Sequence, residues 1–505
     1  MSESQSTDRD FPLISILPNE ILLQIFSSGI EDEIDDMVDW SSRYSIHPPL
    51  GFPLAVSGVC RSWRALALSS PTLWTTVVAC SEYQFYGQLF LERSYPLQIS
   101  LLVIDRFRAA EAAAMTIPHF SRARSLSIRP YSGAEAFSYS KAFSELSAPC
   151  LEEFSVVLQS RSALPGQYDG LKFIRDTSEL RSVTVKGIPF PFDHSSSWQN
   201  LTFLNVRGFC PTYTQFSQLL QSAPLLETLY LPTFRWSPDL AVNVGRAPKI
   251  EAPALKNLCL GLGDGHDDTR CECPISLLIM GNLRSLTVVG DKHSIISRLA
   301  HHFSGEHAEN EFSQLTTVKL VGLELVSRDA TFFRRLQNVR RLEVESVGGD
   351  FLSNLVQRYQ VNSEFLIPLP LLETIAFHSL DEAHIQWLDK RSAAQTTQLT
   401  VELPGSQEEI TSTKTSFEWR ISEMDWLKFP LDRGDPGDDG WYDDEEVDDW
   451  DLEEDFAYDI WDIDTYAGYD HEEDFEDYDY DDDGPYTFAD IVGYEDSVDF
   501  ASDFW

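Results

Sequence analysis

The chain has 505 residues, 43% of them hydrophobic, and carries 38 Lys and Arg against 81 Asp and Glu for a formal net charge of −43. Such an acidic balance argues against direct binding of nucleic acid, whose affinity comes mainly from phosphate neutralisation by basic side chains. The apolar content is sufficient for a sizeable core spread over about two to four domains.

The charge is uneven. Residues 432–505 hold 32 acids and one base, Arg433, a net of −31, which leaves −12 on the other 431 residues. Seven cysteines are scattered without the spacing of a disulfide framework, so a reducing, intracellular setting, cytoplasmic or nuclear, is expected. The opening "MSESQSTDRD" lacks the basic and apolar regions of a signal peptide. No run approaches about 18 uninterrupted apolar residues, so no membrane partner is expected.

The first predicted helix starts at "LPNEILLQIF", residues 17–26. Pro18 suits the first helical position and Glu20 the first turn. Leu17, Ile21, Leu22, Ile25 and Phe26 form one wide apolar face. Residues 27–53 are acidic, end in prolines and read as a loop insert. A second helix is predicted over "LAVSGVCRSWRALALSS", with Val56, Val59, Cys60, Trp63 and Ala67 as its stripe and Arg61 and Arg64 pointing elsewhere. A short helix opened by Pro71 follows at "SPTLW". Fewer than about 40 ordered residues rarely make an adequate core alone. At roughly 1.5–3 kcal/mol per large side chain, this apolar surface requires a cover from the rest of the chain or from a partner.

Leu17, Pro18, Glu20, Ile25, Phe26, Val59, Cys60, Arg61, Trp63, Pro71, Leu73 and Trp74 reproduce, in order, four elements of a known pattern: Leu-Pro-x-Glu, Leu-x-x-Ile-Phe, Val-Cys-(Arg/Lys)-x-Trp and Pro-x-Leu-Trp. Residues 11–78 therefore resemble an F-box, departing from it in the insert at about 27–53. The resemblance implies docking on a Skp-family adaptor and, through it, a cullin. Leu17, Pro18, Ile21, Ile25, Phe26, Val59, Cys60 and Trp63 become the candidates for the adaptor surface or its immediate support.

From residue 94 a hexamer of the form Leu-x-x-Leu-x-Leu recurs. Clear copies are "LEEFSV", "LRSVTV", "LTFLNV", "LETLYL", "LKNLCL", "LRSLTV", "LTTVKL", "VRRLEV" and "LETIAF"; "ARSLSI" and "TTQLTV" are weaker, and "SYPLQI" opens the series. Alternation within each copy is strand periodicity. Helix-like stretches lie between copies, at "TQFSQLLQSA", "SIISRLAHHF", "ATFFRRLQNV" and "DEAHIQWLDKRS". A strand plus a helix every 21 to 33 residues is the leucine-rich-repeat signature. The expected fold class is α/β: a small helical F-box, then a solenoid over 94–428 with a curved parallel sheet and outer helices, then an acidic tail. A doubly wound sheet is the competing fold. The asparagine-ladder position is mostly absent, and the repeats resemble the irregular ones that follow fungal-type F-boxes.

The x positions of each hexamer face the concave surface, which solenoids use for extended binding. They include Arg181, Lys186, Arg207, Tyr230, Arg284, Lys319, Arg341, Glu343, Glu345 and His378. Of these, Lys186, Arg207, Tyr230, Lys319, Arg341 and His378 are the candidates for substrate contact.

Catalytic signatures are missing from the sequence. "GLGDGHDD" lacks phosphate-loop spacing, "CEC" near His266 lacks a second ligand pair for zinc, and there is no nucleophile elbow or cysteine-protease signature. No cofactor or metal is expected. The tail over 432–505 interleaves acids with aromatics and is expected to be extended and mostly disordered, serving either weak docking on basic surfaces or solubility. The resemblance implies a non-catalytic substrate receptor of an SCF-type (cullin–RING) ubiquitin ligase. The alternative is an adaptor-independent acidic scaffold, or histone-chaperone-like protein, that binds basic partners.

Overall fold

The computed structural model describes residues 17–38, 51–104, 108–144, 146–159, 177–188, 198–208, 211–234, 248–262, 274–290, 312–325, 330–345, 348–349, 359–361, 364–366, 368–377, 388, 391, 399–404 and 418–422. The chain divides into two units, Met1–Phe429 and Pro430–Trp505. The second, with the acidic tail, lies outside the described residues.

Four helical pieces open the chain: α1 (Asn19–Val38), α2 (Phe52–Val59), α3 (Arg61–Leu68) and a 3-10 turn at Pro71–Trp74. Two expectations are corrected here. Residues 27–38 are not a loop but the second half of α1, held because Ile30 is buried in the core and Gly29 lets the Phe52 ring lie against the backbone. The predicted second helix is two helices. Cys60 is extended (φ −157°, ψ 168°), and its Sγ accepts the Trp63 N–H, capping α3.

The strands follow in chain order: β1 (Thr76–Ala79), β2 (Ile99–Val103), β3 (Ala123–Ile128), β4 (Glu153–Val157), β5 (Ser182–Lys186), β6 (Phe203–Arg207) and β7 (Thr228–Leu231). Then come β8 (Ile250–Glu251), β9 (Asn257–Leu262), β10 (Leu278–Ile279), β11 (Ser285–Gly290), β12 (Thr317–Val321), β13 (Glu324–Leu325) and β14 (Arg341–Glu345). The last six are β15 (Gly348–Gly349), β16 (Tyr359–Val361), β17 (Glu364–Leu366), β18 (Thr374–Phe377), β19 (Thr400–Pro404) and β20 (Glu418–Ser422). Fourteen of them form one parallel sheet in the order β1-β2-β3-β4-β5-β6-β7-β9-β11-β12-β14-β18-β19-β20. That order never reverses, which rules out the doubly wound alternative and gives the solenoid. The sheet opens at β1, ahead of the expected start at residue 94, and β20 was not foreseen either.

Between strands lie α4 (Gln84–Arg93), α5 (Ala109–Thr116), α6 (Gly133–Phe143), α7 (Tyr213–Ser222) and a short helix at Ala330–Arg335. The last two realise "TQFSQLLQSA" and "ATFFRRLQNV"; "SIISRLAHHF" and most of "DEAHIQWLDKRS" lie outside the described residues. Buried helix residues such as Phe90, Tyr139, Phe143 and Phe216 share one core with inward strand residues such as Leu126, Val183, Leu204 and Leu286. A parallel strand pair needs a long crossover, so each repeat buries its apolar side only against its neighbours.

The repeat has a shared local cause. The leucine that opens each hexamer donates its N–H to the carbonyl three residues earlier, at 3.1 or 3.2 Å: Leu180 to Thr177, Leu201 to Trp198, Leu255 to Ala252, Leu283 to Met280 and Leu315 to Phe312. That turn aims the chain into the sheet and buries the leucine. Asparagines stand just before three hexamers. Asn200, Asn282 and Asn338 donate through Nδ2 to Ser178 O, Pro253 O and Ser313 O of the preceding repeat, at 2.7, 2.7 and 2.9 Å. They tie repeat to repeat from a position the sequence reading passed over.

Gly261 in β9 illustrates how tightly adjacent repeats pack. A Cβ there would stand 1.7 Å from Pro232 O, a backbone atom that cannot swing away. Gly261→Ala is expected to destabilise the solenoid by about 3 kcal/mol, the upper end for overpacking, read as a lower midpoint in urea unfolding. An unchanged midpoint would mean that β7 and β9 do not approach so closely.

Candidate functional site

The helical pieces split the apolar face of α1 in two. Leu22, Phe26 and Ile30 turn inward, and the Phe26 ring meets Trp63 at 4.9 Å between centroids. Leu17, Ile21 and Ile25, spaced by four, stay 37%, 40% and 46% exposed, and Pro18 beside them is exposed as well. Val59 and Cys60, at the break between α2 and α3, are also exposed. Of the eight adaptor candidates, Phe26 is therefore fully internal and Trp63 half-buried, packed behind the exposed residues. The other six are presented outward. The break is braced from behind: Ser57 Oγ donates to Pro53 O (2.7 Å) and Arg64 Nε to Ser57 O (3.0 Å).

Trp74 fixes these helices to the sheet. Its side chain is fully buried, its Nε1–H donates to Ala67 O at 2.9 Å, its ring packs edge-on to Phe90 at 5.0 Å, and the Arg93 guanidinium lies 4.4 Å from its centroid. One step further, Arg122 donates to Leu91 O at the end of α4 and to Leu97 O and Ser94 Oγ.

The concave surface has two chemically different halves. In β3–β7 the outward positions form rows. One row is Ser127, Ser155, Thr184, Asn205 and Tyr230, each opposite the next in register. The neighbouring row runs Val157, Lys186 and Arg207, and Arg129 stands one residue past the Ile128–Val156 pair, level with Val157. Glu153 is the one carboxylate at the outward positions within these five strands. The Phe203 and Tyr230 rings lie 5.8 Å apart. Asn205 Oδ1 is buried without a hydrogen-bond partner. Burial, then the neighbouring Cys259 and Glu343, pushes the Tyr230 hydroxyl up to about 12. Burial pushes the Cys259 thiol up to about 12 against the pull of Arg207 and Lys319. Both stay protonated at neutral pH, so Tyr230 is a neutral donor and Cys259 is not a nucleophile.

The half from β12 onward is closed by its own ion pairs. Lys319 Nζ meets Glu345 Oε2 at 3.2 Å, and Arg341 meets Glu343 Oε1 at 2.8 Å and Glu402 Oε2 at 2.7 Å. Arg341 reaches across β18 because Ala376 stands between Glu343 and Glu402 in register. Burial alone would lower the Arg341 pKa, but the bonds to Glu402 and Glu343 outweigh it and raise it. Of the substrate candidates, Lys186, Arg207 and Tyr230 fall together; Lys319 and Arg341 are held by glutamates; His378 lies outside the described residues. The exposed rim pairs Arg124–Glu152 (3.2 Å) and Lys256–Glu227 (2.5 Å) are worth little each.

Among the described residues no group of three His, Cys, Asp or Glu side chains is placed to hold a metal ion, and no helix is long and apolar enough to cross a membrane. "CEC" and most of "GLGDGHDD" lie outside the described residues.

Among solved structures the chain is similar to an internalin of Listeria monocytogenes, at 14% identity and a TM-score of 0.32, covering 70% of this chain and 90% of that one. No curated protein sequence matches it. Residues 14–79 match the F-box-like family. The helices that present Leu17, Ile21 and Ile25 ahead of the repeat sheet are thus an F-box-like domain.

Proposed function

We propose that this chain is the substrate-recognition subunit of an SCF-type ubiquitin ligase, acting inside the cell. The F-box-like domain docks a Skp-family adaptor, which brings the cullin, and the solenoid holds a target protein. The chain supplies no bond chemistry. It raises the effective concentration of target lysines beside a ubiquitin-loaded conjugating enzyme. The observation that carries this reading is the divided face of α1: Leu22, Phe26 and Ile30 anchor the helix while Leu17, Ile21 and Ile25 remain exposed in a segment that matches the F-box-like family. Mixing the purified full-length chain with a Skp-family adaptor is expected to give a stable complex on size exclusion. Failure to form one sinks the reading.

The charge of 432–505 favours a second reading, an acidic scaffold that binds basic proteins without the adaptor. Capture of core histones that is indifferent to the adaptor, with no adaptor complex, would support it.

A further inference from the structure

We propose that the cleft between α4 and α5 docks a Lys- or Arg-bearing segment of a partner protein, with the methylene stem over Leu91 and Met115 and the cationic head at Glu92. The inference stands apart from the receptor reading, because none of the residues it uses belongs to the exposed face of α1.

The cleft follows from local packing. α5 and the 3-10 turn that continues it, Ile117–Arg122, approach α4 at Gly87. With no side chain there, Met115 settles against the α4 backbone; a Cβ would stand 2.8 Å from Met115 Cε. Beside that contact α5 offers only the small side chain of Ala114, and a cavity of about 560 Å³ remains. Leu91 and Met115 line it and are buried, which makes an apolar floor. On α4 the residues Gln84, Gln88 and Glu92 line it at intervals of four, over about 12 Å of helix.

The lining selects a cation on an apolar stem. The Glu92 carboxylate makes no hydrogen bond or ion pair among the described residues. Arg93 beside it feels that charge but lies over the Trp74 ring, 4.4 Å from its centroid. Glu92 also stands in the last turn of α4, at the carbonyl end of the helix dipole, where a cation is favoured and a lone carboxylate is not. His119 lines the cleft as well, and burial, then Arg122, holds its pKa below the usual value, so at neutral pH the imidazole carries no charge to repel a cation. Arg122 itself is held by Leu91 O, Leu97 O and Ser94 Oγ. Glu111, on the α5 side, is already paired with Arg108 at 3.6 Å and is not counted as a partner. An anion would meet two carboxylates, and a wholly apolar ligand would bury Glu92 unpaired. A Lys or Arg side chain meets both demands, covering the floor with its stem and keeping its head at the polar rim.

The probe is a short fluorescent Ser-rich peptide with one central Lys between two leucines, titrated against the full-length chain by anisotropy. A single charge and salt at about 0.15 M keep attraction to the acidic residues 432–505 small. Binding is expected, and replacing the Lys by norleucine should weaken it about tenfold. Glu92→Gln is expected to weaken it about fivefold. Ala114→Arg, which fills the cleft from an exposed position and brings its own cation, should weaken it at least about tenfold. Ala134→Arg, the same change at an exposed position of α6, stays within about twofold. A photoreactive leucine in the peptide should crosslink to residues 84–92 or 111–119. The proposal is overturned if wild type does not bind, or if Glu92→Gln and Ala114→Arg bind as wild type does with unchanged melting curves. It is also overturned if the norleucine peptide binds equally, if free spermidine competes as well as the peptide, or if crosslinks fall only within 432–505. Adaptor capture on the same samples separates the two proposals: wild type that binds the peptide but never the adaptor keeps the cleft and loses the receptor reading.

Discussion

Ile21→Asp combined with Ile25→Asp is expected to abolish adaptor capture while leaving the melting of the chain nearly unchanged. The two side chains stand one helical turn apart on α1 and remain 40% and 46% exposed, so removing them takes little from the core. Asp at position 21, in the first turn, is compatible with the helix dipole. At position 25 it costs roughly 0.5 kcal/mol of helix propensity. The proposed docking, by contrast, would bury both residues. Losing two anchoring isoleucines removes about 1.5–3 kcal/mol each, and each new carboxylate must be desolvated against an apolar partner. The affinity should fall by at least about a thousandfold, which titration calorimetry reads directly. Phe26→Ala is the contrasting variant. Its ring is buried against Trp63, so capture is lost together with folded F-box signal in circular dichroism. Retained capture by the double Asp variant would mean that the adaptor uses another face.

Much of this was legible before any coordinates. The hexamers carry period-two alternation, and a leucine that must enter a turn and then a core gives the same spelling each time. The exposed x positions followed from that alternation. What stayed hidden depends on contacts between segments far apart in sequence. "SSG" at 27–29 looks like the end of a helix, yet α1 continues because Phe52 closes over Gly29 and Ile30 finds the core. The stripe through Val59 and Cys60 keeps helical spacing even though the backbone breaks there, so periodicity could not show the cap that Cys60 makes. β1 is four residues long without a leading Leu-x-x motif, and β20 is similarly unmarked. Most consequential is the concave surface. Lys319 and Arg341 looked available for a partner, but register and the small Ala376 bring Glu345 and Glu402 to them. Irregular repeat spacing makes such pairings unreadable from the sequence alone.

Trp74→Ala is expected to have the largest effect on stability and to act at one end of the molecule. Deleting a buried indole costs about 3–5 kcal/mol, and Ala67 O, which keeps the Ser70 N–H at 3.2 Å, loses one of its two donors, adding about 1 kcal/mol. The residue joins the end of α3, the entry to β1 and the face of α4 that carries Phe90 and Arg93. In a repeat array each unit is stabilised by its neighbours, so damage at the first strand should spread inward from that end instead of melting the whole sheet. Hydrogen exchange should show protection falling across α1–α3 and β1–β2 while β9–β14 keep theirs, and adaptor capture should fail although Leu17, Ile21 and Ile25 are untouched. Trp74→Phe restores most of the apolar volume but not the hydrogen bond, and should recover the larger share of the loss. If protection instead drops evenly along the sheet, the solenoid melts as one cooperative block, and Trp74 is no more than a core residue of it. If it drops only at the N-terminal end, the fixed link through Trp74 is what holds the F-box-like helices in a defined orientation to the concave surface. On the proposed receptor reading, that orientation would place a bound target within reach of the conjugating enzyme.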